Sequence, residues 1–218
     1  GVRARGGADG RVDGVAQDSL MSVLSLLPGF VPVLLFLGGL TMMDGFKLIP
    51  GRLVLRSIVV GCVAAGLAYL VNGWASGALH LGRGVVTGVV GPLAEEVLKA
   101  ALVIYLVARS RVGFMVDAGI HGFAVGSGFA LAENAYYASV LGDTSVWLWI
   151  FRGLGTAVMH GSTTAIVGVL SKYFTERAGR RTAYLFLPGV VLSVLLHSGF
   201  NRLGPWPLLA TSSAILVT

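Results

Sequence analysis

Apolar residues in this chain run together in blocks of membrane-spanning length, separated by short polar turns. A hydrocarbon core about 30 Å thick needs about 20 apolar helical residues to cross it. Six blocks reach that length: Leu20–Leu40, Leu53–Val71, Val85–Val107, Val112–Leu141, Val146–Leu170 and Ala183–Leu203. A seventh stretch, Trp206–Val217, is shorter and reads as a truncated helix. No run of alternating ten-residue strands suggests a barrel. Pro28 and Pro32 predict a kink in the first block, and Gly142-Asp143-Thr144 marks a loop after the fourth. Residues 1–19 form a polar tail without the pattern of a signal peptide. The expected architecture is therefore all-α: one polytopic transmembrane bundle over residues 20–218, with about seven helices and a buried polar site.

Composition sharpens this picture. The chain is 55% hydrophobic and 12% charged, against about 45–50% and about 25% in soluble domains. Those figures exclude a water-soluble globule, and they exclude disorder, which needs few apolar residues and much charge. Cys62 is the single cysteine, so no intrachain disulfide or thiolate metal site can form. Any metal must be held by histidine and carboxylate.

The net charge of +6 does not point to nucleic acid, because its cations are scattered between apolar runs. They read instead as topology signals. Lys47, Arg52, Arg56, Arg109, Arg111, Lys172, Arg177, Arg180 and Arg181 fall on one side. Arg3, Arg5, Arg11, Arg83, Arg152 and Arg202 fall on the other. The bias predicts an outside N-terminus and cytoplasmic loops after blocks one, three and five.

Ionisable side chains at bilayer depth cost roughly 2.5–3.5 kcal/mol on insertion scales and usually mark a function. Glu95, Glu96, Glu133, His160 and His197 stand out, with Lys99 beside the first pair. At about 1.5 Å rise per residue, counted from the outer ends of the blocks, Glu96 lies roughly 17 Å deep, Glu133 roughly 12 Å, His160 roughly 21 Å and His197 roughly 9 Å. These depths share the middle-to-outer half of the bilayer, so convergence on one site is expected.

Glu95 and Glu96 are about 100° apart on a helix, with Lys99 angularly between them. An internal ion pair explains one of the acids but leaves a second, and two adjacent carboxylates suit proton exchange. Ala118, Gly122, Gly126 and Ala130 recur every four residues and predict close helix packing; Asn134 continues that stripe beside Glu133. Thr156, Thr163 and Thr164 surround His160, and His197 shares a face with Asn201. Two histidines with extra carboxylates on separate spans suit zinc, whose catalytic sites keep one position open. His80, in a loop, and His121, near the cytoplasmic end of its span, are left outside the expected site.

The ordered set Glu95-Glu96-x-x-Lys99, Phe129-x-x-x-Glu133-Asn134, Arg152 eight residues before His160, and His197-x-x-x-Asn201 resembles the PrsW family of intramembrane proteases. The loop Asp44-x-x-Lys47-x-x-Pro50 resembles a stretch common in that family. PrsW proteins are similar to the CAAX prenyl proteases and bacteriocin-processing enzymes, but Glu133 stands where those carry a histidine. The departure is typical of PrsW and argues against CAAX processing. The resemblance implies Glu95 and Glu96 as the catalytic pair, Glu133 as the second acid, His160 and His197 as the two histidines, and Asn134 and Asn201 as polar residues of the same motifs. It also implies site-1 cleavage of a membrane-anchored anti-sigma factor on the outer side of a bacterial inner membrane.

The preferred mechanism at this stage is zinc-dependent hydrolysis. His160, His197 and Glu133 hold the metal, Glu96 or Glu95 is the base, and Asn201 or Asn134 stabilises the oxyanion. Three alternatives stay open: a metal-free glutamic protease using the same residues, a non-enzymatic membrane scaffold, and a proton carrier with Glu95, Glu96 and Glu133 as relay. Retention of every motif acid argues against the scaffold. The absence of an internal repeat lowers the carrier.

Overall fold

The structure is a computed structural model that describes residues 49–141 and 146–203, together with residues 30, 31, 33–35, 37–39 and 42. The polar tail, Pro28, Pro32, Asp44, Lys47, the Gly142-Asp143-Thr144 loop and Trp206–Val217 lie outside the described residues. All elements among the described residues are helical. The long ones are α1 (Gly51–Ala78), α2 (Gly91–Ala108), α3 (Met115–Leu141), α4 (Val146–Ala178) and α5 (Leu187–Leu203). A short turn at Arg83–Val85 and a π-helical segment at Val86–Val90 lead into α2, and a 3-10 turn at Ala183–Phe186 leads into α5.

Four helices among the described residues are long and apolar enough to cross a membrane: Gly51–Ala78, Met115–Val140, Trp149–Ala178 and Ala183–Leu203. These match four of the expected blocks, and the fold is the expected all-α bundle of a multi-pass membrane protein. The block expected at Val85–Val107 is also helical, but it carries Glu95, Glu96 and Lys99, which set it apart from the purely apolar spans. The described residues between 30 and 42 are helical, and Leu37 packs with Val54, Ile120, Phe123 and Ala124.

α3 and α4 form the centre. Of the most apolar window in each, 67% is buried, against 28% for α1 and α5. α3 lies between α1 and α4, and α2 touches α1, α3, α4 and α5. Lipid tails are as apolar as leucine, so close backbone packing and polar contacts must drive this association. The small-residue stripe of α3 supplies the packing. A Cβ on Gly126 would sit 2.0 Å from the His160 carbonyl oxygen, and one on Gly122 would sit 2.4 Å from that of Thr164. Asn134, next on the stripe, donates through Nδ2 to Thr156 Oγ1 at 3.1 Å. The face therefore seats α3 on α4 at the level of His160, which brings Glu133 and His160 within reach of each other.

The ends of the helices follow local chemistry. Asp117 Oδ2 accepts from the backbone N–H groups of Gly113 (3.2 Å) and Phe114 (2.9 Å), tying down the start of α3. Before α2, the Gly91 N–H reaches back to Val86 O, and residue 92 is a proline without an N–H. Helical pairing thus leaves the Thr87 carbonyl without a backbone donor. Asn201 Nδ2 on α5 donates to it at 2.9 Å.

Candidate active site

α2, α3, α4 and α5 bring Glu95, Glu96, Lys99, Glu133, Arg152, His160 and His197 into one cluster inside the bundle. Its floor is sealed from solvent and lipid. Glu96, Lys99 and His160 are 0% exposed, and His197 is 2% exposed. Lys99 Nζ donates to Glu96 Oε1 at 2.5 Å and lies 2.8 Å from His160 Nδ1. His197 Nδ1 donates to the same Glu96 oxygen at 2.7 Å, and Thr163 Oγ1 approaches it at 3.4 Å. Glu96 Oε2 is buried without a hydrogen-bond partner among the described residues. Charge-assisted bonds of this kind, in a dry interior, fix the orientation of both imidazoles.

The front of the site is more open. Glu133 is 25% exposed and Glu95 is 15% exposed at the side chain. His160 Nε2 lies 3.2 Å from Glu133 Oε2, and His197 Nε2 lies 3.7 Å from Glu95 Oε2. Arg152 Nη2 stands 3.7 Å from Glu133 Oε2, with its guanidinium 3.9 Å above the Tyr137 ring. Asn72 Nδ2 on α1 donates to Glu95 Oε1 at 3.1 Å. The two imidazoles meet edge to face, with ring centroids 4.9 Å apart.

Each expected residue now has a position. The adjacent glutamates separate: Glu95 turns to the front and Glu96 to the floor. Of the two glutamates expected to supply the water-activating base, Glu96 has its Oε1 committed to Lys99 and His197 and no exposure, and Glu95 is the more open. The cluster of donors within 4.8 Å of one another is Glu95, His160 and His197, whereas the expected metal set had Glu133 in the place of Glu95. Asn201 and Asn134, expected near an oxyanion, direct their amide groups to Thr87 O and Thr156 Oγ1.

His121 lies elsewhere, paired through Nδ1 with Ser57 Oγ at 2.9 Å, and His80 is exposed in the turn after α1. Sequence reading missed Asn72 and Tyr137. An asparagine within an apolar helix was the available signal for the first; nothing in the sequence singles out the second.

The donor set suits a divalent cation. Two imidazole nitrogens and one carboxylate are a known catalytic zinc set, and a second carboxylate on the far nitrogen of a ligating histidine is its usual support. Glu96 on His197 Nδ1 has that arrangement.

A helical membrane bundle with two histidines and three glutamates gathered at its core fits an intramembrane hydrolase. Residues 49–218 match the PrsW family intramembrane metalloproteases. The chain belongs to that family and is an intramembrane endopeptidase. Comparison with curated proteins and with solved structures found no match.

Proposed function

We propose that this protein cleaves a single-span, membrane-anchored substrate of the anti-sigma-factor type, by site-1 cleavage in the outer half of a bacterial inner membrane with its N-terminus outside. The observation that supports hydrolysis at this site is the gathering of Glu95, His160 and His197 donor atoms within 4.8 Å, with Glu133 at the open side; the substrate type and the side of the membrane follow the resemblance to PrsW proteins and the charge bias of the loops.

Glu95, His160 and His197 would hold the metal, with zinc the cation that best matches two nitrogens and one oxygen. When bound there, it supplies Lewis-acid polarisation of a carbonyl and a water nucleophilic near neutral pH. The residues do the rest. Glu133 Oε2 takes the proton of the attacking water and delivers it to the leaving amine nitrogen as the C–N bond breaks. Arg152 holds Glu133 in place and keeps a cation beside developing negative charge. Glu96 and Lys99 position the imidazoles from below, and Asn72 orients Glu95. Asn201 pins α5 to the π-helical segment that leads into α2 and so fixes the depth of His197.

A metal-free glutamic mechanism is the second reading, and one observation favours it. Lys99 Nζ lies 2.8 Å from His160 Nδ1, and as a charged donor it puts the imidazole proton on Nε2, facing Glu133. In that mechanism Nε2–H is a donor to the substrate carbonyl and Glu133 or Glu95 activates water directly. Cleavage of a single-span reporter by purified protein, before and after chelation and metal restoration, separates the two. Loss and recovery support the metalloprotease; activity indifferent to chelation in metal-free protein supports the glutamic one.

A further inference from the structure

We infer that the cleft at the opposite end of the bundle, between the C-terminal ends of α2 and α4, binds a phosphate-bearing anion. The cleft has a volume of about 460 Å³ and is lined by Val107 and Ala108 on one side and by Lys172, Glu176, Arg180 and Arg181 on the other. Glu176 lies 16 residues beyond His160 on α4, roughly 24 Å along the helix, so this site is separate from the catalytic cluster.

Its position follows from length. α4 has 33 residues and at about 1.5 Å each is roughly 50 Å long, well beyond a core of about 30 Å. Its last turns therefore stand in the headgroup layer, flanked by the exposed Tyr173 and Tyr184, residues typical of that interface. Gly179 then reverses the chain at φ +63°, a conformation that side-chain-bearing residues seldom adopt. The turn brings Arg180 and Arg181 back over the cleft.

Helix C-termini attract cations, and that alone calls for some positive charge here. The two helix ends carry about half a negative charge each, and Glu176 adds one more. Lys172, Arg180 and Arg181 exceed that sum by about one charge, which is the charge of a phosphodiester. Glu176 is paired with Lys172 at 3.0 Å. Among the described residues no carboxylate pairs with Arg180 or Arg181. The Arg180 guanidinium bonds the Tyr184 hydroxyl and is held by it. A held guanidinium beside a free one is suited to the several oxygens of a phosphate.

The source is either an anionic lipid headgroup or a soluble phosphate, and one experiment distinguishes them. The full chain in detergent is titrated with phosphatidylglycerol, with phosphatidylcholine of the same acyl chains, and separately with inorganic phosphate, with binding read by native mass spectrometry and calorimetry. The variants are R180Q/R181Q and, as a control at the same end but outside the cleft lining, R109Q/R111Q. A preference for phosphatidylglycerol that drops about 25-fold in R180Q/R181Q, roughly fivefold per cation, and persists in the control assigns the site to lipid. Inorganic phosphate binding with the same mutational pattern and no lipid preference assigns it to a soluble phosphate. Equal loss in both double variants, or no binding of either probe, overturns the proposal.

Discussion

Glu95 and Glu96 are neighbours in the chain and occupy opposite regions of the site. The front, with Glu95, Glu133 and Arg152, is partly exposed, and its polar groups stand at 3.1–3.7 Å from their partners. The floor, with Glu96, Lys99 and the far nitrogens of both histidines, is sealed and bonded at 2.5–2.8 Å. Chemistry requires water and a substrate carbonyl, so it belongs to the looser front. Rigidity is supplied from below, where Lys99 reaches both Glu96 and His160 and therefore joins α2 to α4. A buried charge pair of this kind orients groups more reliably than it stabilises a fold.

The largest effect is expected at the front. Glu133→Gln preserves shape and removes the base, and should lower cleavage of a single-span reporter by about 10²–10⁴-fold while the metal stays bound. A variant that retains wild-type turnover would remove Glu133 from the base role and return it to Glu95 or Glu96.

On the floor, Glu96→Gln should act differently. It removes the support of His197 and should weaken metal affinity by about 10–100-fold. It also strands Lys99 as an unpaired buried cation, at a cost of about 3–5 kcal/mol. The double variant Glu96→Gln/Lys99→Met should recover much of that stability, measured as thermal unfolding in detergent, without recovering metal affinity. If the double variant is no more stable than the single one, the pair is not the floor's dominant interaction.

Packing comes next. Gly126→Ala puts a methyl group against the His160 carbonyl, where the backbone spacing allows none. Separation of α3 from α4 would move Glu133 off His160, and about 1–3 kcal/mol of destabilisation is expected with a parallel loss of activity. The same change at Gly66, where nothing lies within 4 Å, should leave both unchanged. The smallest effect is expected at Asn201. Asn201→Ala removes the donor to Thr87 O and should cost about 1 kcal/mol, with activity lowered through His197 and not abolished. Loss as complete as that of Glu133→Gln would mean that the amide touches the reacting carbonyl.

Much of the fold was legible because span length is a direct consequence of bilayer thickness. The blocks at Leu53–Val71, Val112–Leu141, Val146–Leu170 and Ala183–Leu203 all recur as helices. Their ends shifted because α1 and α4 run past the apolar stretch, to Ala78 and Ala178. The site residues were legible as ionisable groups at bilayer depth, and shared depth anticipated their meeting. Their individual roles were not. A rotation of about 100° separates Glu95 from Glu96, and which of them faces outward depends on how α2 is turned within the bundle. Sequence carries no record of that turn. The π-helical segment before α2 escaped for a related reason: Pro92 forecasts a missing N–H, but the partner of the freed carbonyl, Asn201, lies on a different helix.

The most direct test of the division between front and floor is the metal content of purified protein, by mass spectrometry, in wild type and in Glu95→Gln, His160→Ala, His197→Ala and Glu133→Gln. The account predicts about one zinc per chain in wild type and in Glu133→Gln, and loss of it in the other three. Zinc retained in Glu95→Gln and lost in Glu133→Gln would contradict it, exchanging the ligand and the base between the two glutamates.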